Sequence, residues 1–147
     1  MSLVNAIAEI EAQTPGLSNE DMLMALKSRT VDKLGLLSGG VLSGLLAANG
    51  LLAYVQDTAN ATGDMSAMRN ICVAIGQRLL PDGEIDFSEA GNQSLLGLFL
   101  SDATINGILS AQGKTATEIQ ALILSAATTQ EPEFPGIRMV DVVRARA

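Results

Sequence analysis

Apolar residues recur at helical spacing along most of the chain. Between Val4 and Ala12 they fall at positions 4, 7, 8 and 10, and Pro15-Gly16 ends the run. Ser18-Asn-Glu-Asp21 is a capping pattern ahead of Met22, Leu23 and Leu26, which predicts a second helix to about Arg29. Residues 30–37 are expected to add a further turn or two of helix. Asn60 to Asp64 reads as a polar turn. Met65 to Leu80 then carries Met68, Ile71, Cys72, Ile75 and Leu79 as a stripe, closed by Pro81-Asp82-Gly83. Asp86-Phe-Ser-Glu89 reads as the cap of a helix through about Leu100. Ser101 or Asp102 caps a short helix ending near Gly113, and Thr115-Ala-Thr-Glu118 opens one through about Ala127. No run alternates apolar and polar residues for long enough to require a sheet. The expected fold is all-α, a compact bundle of six or seven short helices with a C-terminal tail. The expected division is a helical domain at 1–127 and a Pro-containing linker with a C-terminal arm at 128–147.

One stretch departs from this amphipathic pattern. Leu34 to Gln56 holds 23 residues without a charge, between Lys33 and Asp57. Its length suggests a membrane span. Its content argues the other way, because five Gly, two Ser and Asn49 dilute the seven Leu and two Val between residues 35 and 55. The Gly39-Gly40 pair is expected to end one helix and start another, leaving a piece too short to span. On a helical wheel, Leu37, Val41, Leu45, Ala48, Leu52 and Val55 fall on one side. Ser43, Ala47, Gly50 and Tyr54 then form a small-residue face on the other. The run is therefore expected to supply core and contact surface, with Val41, Leu45 and Leu52 as candidate interaction residues.

Composition narrows the remaining chemistry. Charged residues make up 17% of the 147 and apolar residues 48%, so few charges cover the surface and part of it is expected to be buried against partners. A net charge of −7 and three aromatic Phe with one Tyr exclude a phosphate-tracking or base-stacking nucleic-acid binder. With no His and one Cys, the usual general base and a multi-thiolate metal site are missing. Asp82-Gly-Glu-Ile-Asp-Phe-Ser-Glu89 resembles the second half of a calcium loop, but Arg78 and Leu80 occupy positions that need oxygen ligands. The same acids read better as a turn, a short extended piece and a cap. Cys72 sits on an apolar stripe without a base, so its thiol is expected to be inert. No Gly-x-Ser-x-Gly elbow or phosphate loop is present. These observations predict no catalytic residues, no cofactor, no metal site and no enzymatic activity.

Charge changes sign only at the tail. Residues 1–136 hold six basic and fifteen acidic side chains, whereas Arg138, Arg144 and Arg146 face only Asp141 beyond them. With Val140 and Val143 as apolar anchors, these arginines suit an arm that docks on an acidic neighbouring subunit.

The segment Arg138-Met-Val-Asp-Val-Val-Arg-Ala-Arg146 resembles the end of small proteins encoded among the structural genes of tailed bacteriophages, with Val140, Asp141, Val142 and Ala145-Arg146 in register. Gly16 to Val31 and Asp82 to Gly113 are similar to the acidic and Leu-rich helices of the same proteins. The resemblance implies a non-enzymatic virion or virion-assembly component, and the leading reading is a virion protein assembled in the host cytoplasm. It would be a repeated subunit of the neck, tail or baseplate, or a capsid accessory, and would act by packing against copies of itself and other virion proteins. Two other classes fit the composition: a membrane-active, holin-like protein using residues 34–56, and a small acidic cytosolic adaptor.

Overall fold

Ser18, Ser38, Ser66, Asp102 and Thr115 each precede a helix, and each accepts a hydrogen bond from the backbone N–H three residues on. The caps written in the sequence thus set most helix starts. The structure, a computed structural model, describes residues 1–63 and 66–147. The expected ends of the polar turn at Asp64 and of the next helix at Met65 lie outside the described residues.

Among the described residues there are nine helices and four short strands, 62% helix and 11% strand. The protein is mostly helical. It is neither purely all-α nor built from six or seven helices, as the sequence had suggested. The helices are α1 (Leu3–Gln13), α2 (Asn19–Ser28), α3 (Gly39–Ala48), α4 (Leu52–Asn60), α5 (Ala67–Arg78), α6 (Ala90–Leu100), α7 (Ala103–Ser110), α8 (Ala116–Ala126) and α9 (Met139–Arg146). The strands are β1 (Thr30–Leu34), β2 (Leu36–Ser38), β3 (Glu84–Asp86) and β4 (Thr128–Pro132).

Residues 30–37, expected as helix, are extended. The chain turns at Gly35, whose N–H donates to Ala127 O while its carbonyl accepts from Phe87 N. Before this point β1 pairs with β4, and after it β2 pairs antiparallel with β3 with Leu37 opposite Ile85. Both pairs are two-stranded. β1 and β4 are exposed on both faces, so no hydrophobic alternation marks them. β2 and β3 are three residues each, and each buries one side chain, too few to write a pattern.

Two compact units make up the chain. One is Met1–Lys33 with Gln130–Ala147, and the other is Leu34–Thr129. In the first, α9 packs on α1 and α2 around Ala6, Ile7, Met22, Leu26, Ile137 and Val142. Residues 128–147, expected as linker and arm, are therefore β4 and a helix whose inner face is core. In the second, α3 to α8 enclose a larger core that includes Leu46, Leu51, Phe87, Phe99, Ile105 and Ile123.

The helix expected to open at Asp86 starts later. Ile85 is buried on β3 and Phe87 in the turn that follows it, so Asp86 ends the strand and α6 begins at Ala90. Asp86 Oδ1 accepts from Ser88 N at 2.9 Å and from its hydroxyl at 2.6 Å.

Candidate functional site

The uncharged run from Leu34 to Gln56 is divided by local backbone chemistry. Its first residues belong to β1 and β2. Ser38 caps α3, and α3 ends at Asn49 with Gly50 at φ +73°, a left-handed conformation that suits glycine. The axes of α3 and α4 differ by 107°, and no single helix among the described residues is long and apolar enough to cross a membrane. Asn49 is buried at this corner and fully engaged. Its side chain donates to Leu45 O at 2.7 Å and accepts from Lys114 Nζ at 2.8 Å, while its carbonyl accepts from Gln112 Nε2 at 2.9 Å.

Gly39 rather than the pair is the tight point. A Cβ at Gly39 would lie 2.3 Å from Arg78 O and 2.6 Å from Leu80 O, while one at Gly40 would meet open space. Gly39 N also donates to Gly83 O at 2.7 Å. What precedes this glycine is strand, so the pair starts a helix but ends none.

The 107° corner also rearranges the expected apolar stripe. Leu42 and Leu46 are buried on α3, whereas Val41 is 48% exposed and Leu45 is half-buried. The stripe drawn through Leu37, Val41 and Leu45 used helical spacing across a residue, Leu37, that lies on β2. The core sits instead on the neighbouring face.

Leu52, on α4, lines a groove of about 460 Å³ beside α5. Val55, Ala59, Val73, Leu79 and Leu80 form its apolar wall, and none of its lining residues is charged. The sequence reading missed this groove. Its signal is a second, weaker stripe on α5, Val73, Gly76 and Gln77 at i, i+3 and i+4, with Leu80 just beyond the helix end, beside the buried stripe of Cys72 and Ile75. A shallower space of about 300 Å³ shares Leu52 and Gln56 with it and continues to Ala47 and Gly50. Of the small-residue face expected for the run, Ser43, Ala47 and Gly50 line these two hollows, whereas Tyr54 is half-buried against the core.

The tail residues are divided between the interior and the surface. Arg146 donates to Glu11 at 2.9 Å, to Asn19 at 2.8 Å and to Leu17 O at 3.1 Å. Arg138 lies 3.7 Å from Asp141, whose carboxylate accepts from Arg138 N at the start of α9. Val140, Val143 and Arg144 are exposed. Of the eight candidate interaction residues, Val41, Leu45 and Leu52 lie in one unit and Arg138, Val140, Val143, Arg144 and Arg146 in the other.

Tyr54 and Asp102 are tied together in the larger unit. Tyr54 donates to Asp102 Oδ2 at 2.9 Å, and the same oxygen accepts from Ile105 N at 3.1 Å. Burial, reinforced by Asp102, pushes the Tyr54 hydroxyl up. Burial also pushes the Cys72 thiol up to about 11, with the Asp102 charge adding to it. Both groups are protonated at neutral pH, so neither offers a nucleophile or a base. Among the described residues no group of three or more Cys, Asp or Glu is placed to hold a metal ion.

Protein-family models, curated proteins and solved structures were compared with the chain, and none matches it.

Proposed function

We propose that this chain is a non-enzymatic structural subunit of a tailed-bacteriophage particle, repeated in the neck, tail or baseplate or placed on the capsid as an accessory. Its action is packing: apolar surface left open in the monomer is buried between copies and against other virion proteins. The observation that carries this reading is the uncharged groove along α4 and α5, together with Val41, Leu80, Leu98, Val140 and Val143, which are each 46% or more exposed. The phage-like tail segment from Arg138 to Arg146 supports the same class. Mass spectrometry of purified phage particles is the test. Stoichiometric presence is expected, and absence from particles and from their assembly intermediates rules the reading out.

The holin-like reading rests on one observation, that α3 and α4 together have the length and composition of a bent span. Against it, Leu42, Leu46, Leu51 and Val55 are buried in the larger core and would have to leave it to meet lipid. Fractionation separates the two readings. Protein recovered without detergent is expected, and protein held in the membrane pellet favours the holin. A small acidic adaptor would bind a host partner and be missing from particles.

A further inference from the structure

Two Asn-Gly pairs occur in the chain, Asn49-Gly50 and Asn106-Gly107. In such a pair the glycine nitrogen is free to attack the asparagine side-chain carbonyl carbon, because no Cβ hinders its approach. A new N–C bond closes a five-membered imide. The side-chain nitrogen leaves as ammonia, taking the proton of the glycine N–H. Water then opens the imide on one side or the other. One opening gives aspartate. The other gives iso-aspartate, in which the backbone runs through the former side chain. The reaction consumes one water and needs no enzyme, cofactor or oxidant.

The two pairs have different settings within the larger unit. Asn106 is exposed inside α7, and its side chain donates to Leu100 O at 2.9 Å and to Asp102 O at 2.8 Å. Ring closure there requires the middle of a helix to unwind. Asn49 stands at the end of α3 and is the one buried polar residue among the described residues. Its ψ of +13° sets the Gly50 nitrogen beside the Asn49 backbone nitrogen rather than its side chain, and the Gly50 N–H donates to Ala47 O at 3.1 Å. The carbonyl to be attacked is held by Lys114 Nζ at 2.8 Å, and the nitrogen that must leave donates to Leu45 O at 2.7 Å. Gly50 itself is exposed and lines the hollow shared with Ala47 and Leu52, so water meets the corner once it opens.

We propose that Asn49-Gly50 is a deamidation site, restrained in the folded chain by the Asn49–Lys114 contact and released by opening of the α3–α4 corner. Reaction there replaces a buried neutral amide with a carboxylate. Iso-aspartate also lengthens the backbone between Leu46 and Leu51, two buried core residues, and so loosens the larger unit at that point. The site goes beyond the structural-subunit reading and does not depend on it.

The test is incubation of the full chain at mildly alkaline pH, with each Asn-Gly pair followed by peptide mass spectrometry. In the wild type Asn49 is expected to react on the order of a hundredfold faster in urea than in buffer, because only the open corner reacts. Lys114→Met removes a charged hydrogen bond and is expected to raise the rate at Asn49 in buffer about tenfold. Asn106 serves as the internal reference and is expected to keep its rate. In urea, Gly50→Ala is expected to slow Asn49 alone. Three results overturn the proposal: equal rates at Asn49 in buffer and urea, no change at Asn49 in Lys114→Met, or an equal rise at both pairs, which would mark general unfolding of the unit.

Discussion

Two glycines five residues apart on α3 separate a steric requirement from a helix penalty. At Gly39 an added methyl would overlap the carbonyls of Arg78 and Leu80, at 2.3 and 2.6 Å. Gly39→Ala is expected to destabilise by about 2–3 kcal/mol, since backbone must shift to admit it. At Gly44 the same methyl meets open space, and Gly44→Ala is expected to stabilise by about 0.5–1 kcal/mol through helix propensity. Urea titration of both variants measures the contrast. Cys72 tests burial in another way. Its ionisation is raised from near 9 to about 11, so the folded state holds the thiol proton where the unfolded chain releases it. The stabilisation is complete below pH 9 and is lost as pH rises through about 11. The urea midpoint of wild type relative to Cys72→Ala is expected to fall across that window and to be constant below it. A gap that widens with pH counts against burial of the thiol. The sequence showed the apolar setting of Cys72 through its stripe. It did not show the need for Gly39, because Arg78 and Leu80 are far from it along the chain.

At the scale of elements, the helices capped at Ser18, Asp102 and Thr115 and the short extended piece that is β3 were legible, and the other strands were not. Ser18, Asp102 and Thr115 bond to their own helices, so three or four consecutive residues suffice to read them. β1 and β4 depend on each other across about a hundred residues, with Thr30 bonded to Gln130 and Lys33 paired with Glu131. α9 illustrates the same limit. Its arginines suggested an arm that docks on a neighbouring subunit, yet Val142 is fully buried and Arg146 is held by Glu11, Asn19 and Leu17 of its own unit. Deleting residues 137–147 is therefore expected to expose Met22 and Leu26 and to unfold α1 and α2. Loss of helical circular dichroism with gain of dye binding would report this. Arg146→Ala removes the charge-assisted bonds alone and is expected to cost about 1–2 kcal/mol. A deletion variant that keeps its full helix content would show α9 to be an appendage. For the same reason point substitutions on the outer face of α9, rather than truncation, probe assembly.

The two units of the molecule differ in how much they bury. Among the described residues, the larger unit holds seventeen buried core residues, including Phe87 and Phe99, and the smaller holds six. Stability scales with buried apolar area, so α1, α2 and α9 are expected to exchange amide hydrogens through a lower-energy opening than α3, α5 and α6. Native-state hydrogen exchange measures this directly. Equal protection in both units would mean that they unfold as one.

The sequence by itself determined the helical character, most helix starts, the inert cysteine and the shortage of charge at the surface. These depend on residues within a turn or two of each other, on composition, or on periodicity along one element. Tertiary structure alone decided that the uncharged run is strand, helix, corner and helix rather than two helical pieces divided at Gly39-Gly40. Likewise, only the tertiary structure turned the tail arginines partly inward and opened a groove between α4 and α5. Each of these rests on contacts between distant residues, such as Gly39 with Leu80, Asn49 with Lys114 and Glu11 with Arg146, and a local pattern carries no record of such partners.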